Sequence, residues 1–246
     1  MHISIELVPR GLDRFREELQ AVRKRHAPID TVNVPDLMRL SVRSWEGAAA
    51  ARPFYQRAIP HIRAIDFDLR KPFKLGSELL RNGLAEILVI AGDPPADMTR
   101  KVYPTKTAEL IRKVKHEYPQ LKVYAAIDPY RSSIRDELGY VGEKLEAGAD
   151  GFFTQPFFDV RLMEVYAELL PCCDIYWGVS PVMTDASRGY WETKNNAVFP
   201  TNFKPALDWN VDFARRAIGF ADKAGGHVYL MPIKVDVETY LSGIFS

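Results

Sequence analysis

Cysteine is nearly absent: the 246 residues hold only Cys172 and Cys173, side by side. Neighbouring cysteines cannot staple distant segments, and no Cys-x-x-Cys or histidine cluster accompanies them, which excludes a disulfide scaffold and argues against structural zinc. A vicinal redox pair is the alternative to two thiols kept reduced in a cytosol. Net charge is lacking too, with 33 Lys plus Arg against 32 Asp plus Glu, or +1. Such a balance supplies no general field for nucleic acid or an anionic membrane, so any anion site has to be local. No uncharged run reaches membrane-spanning length, and the opening "MHISIELVPRGLDRF" acquires charges too early for a secretory segment. A Walker loop and a dinucleotide fingerprint after the first strand are also missing, which leaves a separate nucleotide-binding domain unsupported. With no internal repeat or low-complexity linker, residues 1–246 are expected to form one cytoplasmic domain.

Short β-branched runs do recur, and they alternate with amphipathic stretches. Strands are expected at 2–8, 30–34, 61–66, 86–91, 122–127, 151–155, 174–180 and 227–231. Helices are expected at 11–25, 49–57, 70–82, 105–117, 133–147, 159–170 and 205–224. Leu110, Ile111, Val114 and Tyr118 show helical spacing, as do Leu138, Val141 and Leu145. Asp159 suits an N-cap, and Gly83 suits the position just past a helix end. Eight strands, most followed by helices, predict an α/β fold, a (β/α)8 TIM barrel. A doubly wound sheet is the alternative, because two of the eight strands are weak. The segment 181–204 is the least periodic; it follows strand seven, where a barrel places its active-face loops, and reads either as a lid or as ordinary loop packing.

Chemistry in such barrels gathers at the carboxyl ends of the strands. Alternation along strand one sets Ile3, Ile5 and Leu7 towards the helices and Ser4 and Glu6 inward. A carboxyl group there, among apolar neighbours, is raised in pKa and suits a general acid, unless an Arg or Lys pairs with it. In strand four Ile87, Val89, Ala91 and Asp93 share a face, which would send Asp93 into the same mouth; a carboxylate capping the next turn is the plainer reading. Gly92 would let a ligand approach the backbone closely. In "AGADGFFTQPFFD", Gly151, Phe153 and Gln155 alternate on one face. The strand-end amide of Gln155 can donate and accept at once, matching the edge of a heterocycle, with Phe153 beside it. Tyr190 and Trp191 either stack on a bound ring or pack within their loop.

Taken together, "ISIELVP", "PHIRAID", "ILVIAGDPP", "AGADGFFTQPFFD" and "GVSPV" resemble the methylenetetrahydrofolate reductase family, in order and spacing along nearly the whole chain. The resemblance implies a TIM barrel that reduces 5,10-methylenetetrahydrofolate to 5-methyltetrahydrofolate, with hydride from NADH or NADPH, normally by way of bound FAD. It makes Glu6 the acid that opens the five-membered ring. It sets Asp93 close to pterin and flavin, and Gln155 against folate or nicotinamide. His61 and Lys144 match positions that contact FAD.

Departures from the family accompany the matches. Ala91 stands where the family usually has Arg, Glu143 replaces a second Arg, Tyr140 replaces an Asn, and Pro35 replaces the strand-two Thr. Two lost guanidinium groups would remove charge-assisted bonds worth about 1.5–3 kcal/mol each; Arg131 or Arg135 is placed to compensate. FAD is therefore expected to bind weakly or not at all. The readings carried forward are a reductase acting on a small folate substrate, a silent folate-binding or accessory barrel, and another pterin-dependent barrel enzyme such as a methyltransferase.

Overall fold

The computed structural model describes residues 1–95, 101–171 and 173–246; of the adjacent cysteines, Cys172 lies outside them. Eight parallel strands pair in chain order: β1 (Ile3–Glu6), β2 (Thr31–Val34), β3 (Arg57–Arg63), β4 (Glu86–Ile90), β5 (Lys122–Ile127), β6 (Gly151–Thr154), β7 (Ile175–Val179) and β8 (His227–Leu230). Strand β8 closes on β1 through Ile3–Val228, Ser4–Tyr229 and Ile5–Leu230. That last pairing makes a (β/α)8 barrel and removes the doubly wound alternative, since an open sheet leaves two free edges.

The outer layer comprises α1 (Leu12–Arg25), α2 (Ser44–Ala51), α3 (Leu75–Arg81), α4 (Thr107–Glu117), α5 (Ile134–Glu146), α6 (Val160–Leu169), α7 (Asp185–Asn195), α8 (Leu207–Lys223) and α9 (Val237–Phe245). Period-two strands give two cores. Outward residues such as Ile5, Val32, Ile62, Val89, Val123 and Trp177 meet the apolar stripes of the helices. Inward residues Ile59, Leu88, Tyr124, Phe153, Tyr176, Tyr229 and Met231 fill the barrel itself.

Several local expectations hold. Asp159 caps α6 by accepting from the Arg161 amide, and Gly83 follows α3 with φ +70°. Others need correction. The second helix is 44–51, not 49–57: Glu46 accepts from the backbone N–H of Arg43, fixing an earlier start, and the chain after Ala51 turns into β3. Strand β3 consequently begins at Arg57 rather than His61 and ends before a 3-10 turn at Ala64–Asp66. On α5 the buried stripe is Glu137, Val141 and Lys144, whereas Leu145 is exposed. The segment 181–204 contains α7, capped by Thr184 and ended by left-handed Asn196. The one buried residue of α7 is Trp191, so the helix carries no stripe for periodicity to detect. Residues after β8 add α9, which buries Tyr240, Leu241 and Ile244.

The N-terminal end of the barrel is closed by Arg57. Its Nε and Nη2 donate to the two Glu86 oxygens at 2.9 and 2.6 Å, Nη1 donates to the Tyr176 hydroxyl at 2.5 Å, and Nη2 also reaches the Tyr124 hydroxyl at 2.8 Å. Removing one partner of a mostly buried ion pair leaves the other uncompensated. Arg57→Met is expected to lower the unfolding free energy by about 3 kcal/mol, read as a shifted midpoint in urea titration; an unchanged midpoint would show that this plug is dispensable.

Candidate active site

Glu6 is the last residue of β1 and faces inward, its side chain 16% exposed. The Tyr229 hydroxyl donates to its Oε2, and the Nε2 of His61 lies 4.0 Å from the same oxygen. Burial pushes the Glu6 carboxyl up to about 7, a rise tempered by the Tyr229 hydrogen bond, which favours the ionised form. Burial also drives the His61 imidazole down to about 4, against the opposing pull of Asp36. Near neutrality the imidazole is therefore uncharged and the carboxyl divides between acid and anion. Around them are buried polar atoms without hydrogen-bond partners: Ser4 Oγ, both amide atoms of Asn33, His61 Nε2 and Ser180 Oγ. Buried polar groups are ordinarily satisfied, so this concentration at one end of a barrel marks a place for a polar ligand.

A charged group stands beside the uncharged one. Arg43 grips Asp36 through two hydrogen bonds of 2.9 and 2.6 Å and reaches Asp66 at 3.0 Å. Asp66 also lies 3.6 Å from Nε of Arg63, the inward-facing end of β3. Arg63 donates from Nη2 to the Asp93 carbonyl at 2.5 Å and is 5% exposed. The sequence reading missed Arg63; with β3 started at its true first residue, alternation through Ile59 and His61 points to it.

The other expected site residues divide. Gln155 follows β6 directly, in the inward register of Phe153, and is exposed at the mouth, its backbone N–H donating to Ile127. Phe153 itself is not available to a ligand: it is buried, stacked on Tyr176 at 4.1 Å and flanked edge-on by Tyr124 and Tyr229. The assumed face of strand four is reversed, since Ile87 and Val89 meet the helices while Leu88 and Ile90 point inward. Gly92, at φ +84°, breaks the alternation before Asp93, whose exposed side chain shares no hydrogen bond or ion pair with Glu6. Trp191 is buried against Phe158 in a satellite cluster with Tyr130, Val182, Ala197 and Phe203. Tyr190 is 57% exposed beside it. Loop packing accounts for Trp191.

Lys144 does not present a free ammonium. Its Nζ donates to the Ala126 carbonyl at 2.6 Å, lies 3.6 Å from Glu137 and sits over the Tyr140 ring at 4.3 Å. Burial lowers it to about 8, opposed by Glu137. Arg131, a candidate to compensate for lost cations, is paired with the same Glu137 at 2.5 Å. Glu143 and Ala91 are exposed and bring no cation. Of the candidate donors for a flavin pyrophosphate, Lys144 and Arg131 are committed to Glu137, positions 91 and 143 supply no cation, and only the exposed Arg135 is left, so FAD fits this residue set poorly. Among the described residues no group of three or more His, Cys, Asp or Glu side chains could hold a metal ion, and no helix is long and apolar enough to cross a membrane.

A closed β/α barrel with a buried carboxyl and unsatisfied polar groups in its interior has the TIM-barrel form, whose ligand sites lie at the strand C-termini. The family model described as Methylenetetrahydrofolate reductase matches residues 45–221, and the chain belongs to that family. The matched span takes in His61, Arg63, Asp93, Lys144 and Gln155; Glu6 and Tyr229 fall outside it. The 5,10-methylenetetrahydrofolate reductase of Escherichia coli K12 is 28% identical over 105 residues, covering 42% of this chain and 36% of that protein. The Pectobacterium carotovorum reductase is 24% identical over 151 residues, 58% of this chain and 50% of that protein. The chain therefore aligns with between about a third and a half of these relatives' length. Among solved structures, a Clostridium thermocellum protein described as binding two copies of 5-methyl-5,6,7,8-tetrahydrofolic acid superposes with a TM-score of 0.65 at 13% identity, over 99% of this chain and 94% of that one. A 2,3-dimethylmalate lyase superposes at 0.58 with 12% identity, covering 95% and 75%. At such identities the superpositions speak for the fold.

The raised Glu6 has a consequence for stability. The folded protein holds this proton more tightly than the unfolded chain, so the Glu6 contribution is full below the ordinary value of 4.5 and is lost as pH rises towards about 7. Relative to wild type, Glu6→Gln is expected to gain stability between pH 4.5 and 7, by up to about 3 kcal/mol at 1.36 kcal/mol per unit. Paired urea titrations across that range check it, and a pH-independent difference would contradict the raised value.

Proposed function

We propose that this barrel is a reductase of methylene-bridged tetrahydrofolate, using NADH or NADPH as the hydride source without a resident flavin. The observation that carries the reading is Glu6: a buried carboxyl, pushed up to about 7, at the mouth of a barrel of this family. A protonated Glu6 gives its proton to the amine nitrogen that leaves when the five-membered ring of the folate opens. Loss of the proton turns Glu6 into a carboxylate beside the iminium cation so formed, an attraction amplified where water is excluded. His61, being uncharged, adds no opposing positive charge. Tyr229 keeps its donor on Glu6, steadying the carboxylate that proton transfer produces. Gln155, exposed at the rim, has the donor and acceptor to orient the ring, and Asp93 adds negative charge to the opposite rim. A reduced nicotinamide, entering as second substrate, supplies the hydride to the iminium carbon.

The committed Lys144 and the missing cations at Ala91 and Glu143 support the flavin-free form. The same departures favour a second reading, in which the barrel binds folate without turning it over. One assay separates them: purified protein, methylenetetrahydrofolate and NADH or NADPH, with nicotinamide oxidation followed by absorbance. Turnover is expected, and Glu6→Gln is expected to lose it by about 100-fold or more, the usual contribution of a positioned acid. The protein as purified is expected to show no flavin absorbance. Folate binding without turnover would overturn the reductase reading, and a stoichiometric flavin spectrum would overturn the flavin-free form.

A further inference from the structure

We infer that Arg63 is a ligand-binding guanidinium, taking an oxyanion carried by the molecule whose reacting end lies beside Glu6. A guanidinium has five N–H groups and no acceptor. Of those on Arg63, Nη2 is given to the Asp93 carbonyl, while Nε is buried with no hydrogen-bond partner. Asp66 is near enough to attract it, at 3.6 Å, but not to accept a hydrogen bond, and that carboxylate is already bound by Arg43 at 3.0 Å. Asp36 is likewise taken by Arg43 and by the Ser44 amide.

The position fits the task. Arg63 stands two residues beyond His61 on the same inward face of β3, about 6–7 Å further towards the open end. A Cβ at Gly92 would come within 3.0 Å of Nε, so the bare backbone of that turn is what admits the guanidinium to its place. Asp66 behind and the Asp93 carbonyl at the tip hold the fork in one orientation, and a planar fork matches carboxylate or phosphate better than any point charge does. Neither Glu6 nor His61 shares a hydrogen bond or ion pair with it.

The inference relies on the proposed reaction for the ligand's identity, not for the anion's chemistry. A dinucleotide phosphate and a folate carboxylate are both oxyanions, so the test separates them. Calorimetric titrations of the full chain use inorganic pyrophosphate and glutarate as bare probes, then NADH, NADPH and 5-methyltetrahydrofolate. Arg63→Gln is expected to weaken one class at least tenfold, Arg63→Lys to weaken it less, and Arg70→Gln, at an exposed pair with Asp68, to change nothing. Added guanidinium is expected to restore part of the affinity in Arg63→Ala. Loss for pyrophosphate and the nicotinamides assigns the phosphate; loss for glutarate and the folate assigns the carboxylate. Wild-type affinity for every probe in Arg63→Gln overturns the inference. So does parallel loss for all probes with a lowered melting temperature and no guanidinium rescue, which marks a structural role. If a bare probe binds through Arg63 while neither nicotinamide nor folate binds, the anion site stands and the reductase reading falls. If no probe binds wild type, the Arg63 assignment falls whatever the turnover assay shows.

Discussion

The stack of Phe153 on Tyr176, 4.1 Å between centroids and 9° from parallel, is the contact on which the site is built. Eight strands enclose more space than aliphatic side chains of one size fill, and here aromatic rings fill it. Tyr124 and Tyr229 meet Phe153 edge-on at 5.1 and 5.2 Å, the geometry ring quadrupoles prefer. This plug places the Tyr229 hydroxyl against Glu6, and from below Arg57 ties two of its phenols to Glu86. Gly178 lies in the same register because a Cβ there would collide with the Thr154 and Gln155 carbonyls. The small residue lets β6 and β7 approach closely enough for the stack. Burial above this plug desolvates Glu6.

Above the plug the mouth divides into two electrostatic regimes. At Glu6 on β1 and His61 on β3, burial raises the carboxyl to about 7 and lowers the imidazole to about 4. On the β2–β4 side, Arg43, Asp36, Asp66 and Arg63 are charged and neutralise one another. Proton transfer and ion binding have opposite requirements. A general acid needs its neutral form stabilised, while an ion site needs fixed dipoles and charges. His61 and Arg63, two residues apart on β3, bring the two regimes side by side.

How much of this could be read in the sequence depended on whether a side chain's direction follows from local rules. Ile3, Ile5 and Leu7 alternate without interruption, so the inward turn of Glu6 was legible. The same rule failed in strand four, where Ile87 and Val89 lie on the outer face and left-handed Gly92 resets the phase before Asp93. Phe153 was placed on the correct face but at the wrong depth, since depth is decided by neighbouring strands. Trp191 carries too little local pattern to reveal that Phe158 and Phe203 enclose it. Arg63 shares a face with His61 even in a strand begun at His61, but only the true start at Arg57 shows that this face, through Ile59, is the inner one.

Lys144 shows the limit of carrying a role across by position. The family resemblance assigns the lysine, but its availability depends on partners from two other positions. Glu137 on the buried stripe of α5 takes both Arg131 and Lys144, and Ala126 takes the ammonium's best hydrogen bond. For an anion to claim Lys144, that carbonyl would lose its donor and Glu137 would keep a single cation while largely buried. Each change opposes binding by more than one exposed ion pair returns. With Glu143 next to Lys144 in the chain, the guanidinium at the mouth that keeps an unpartnered N–H is Arg63. The proposed anion contact therefore lies on the inner face of β3, at Arg63, and not at Lys144 on the helix side of the barrel.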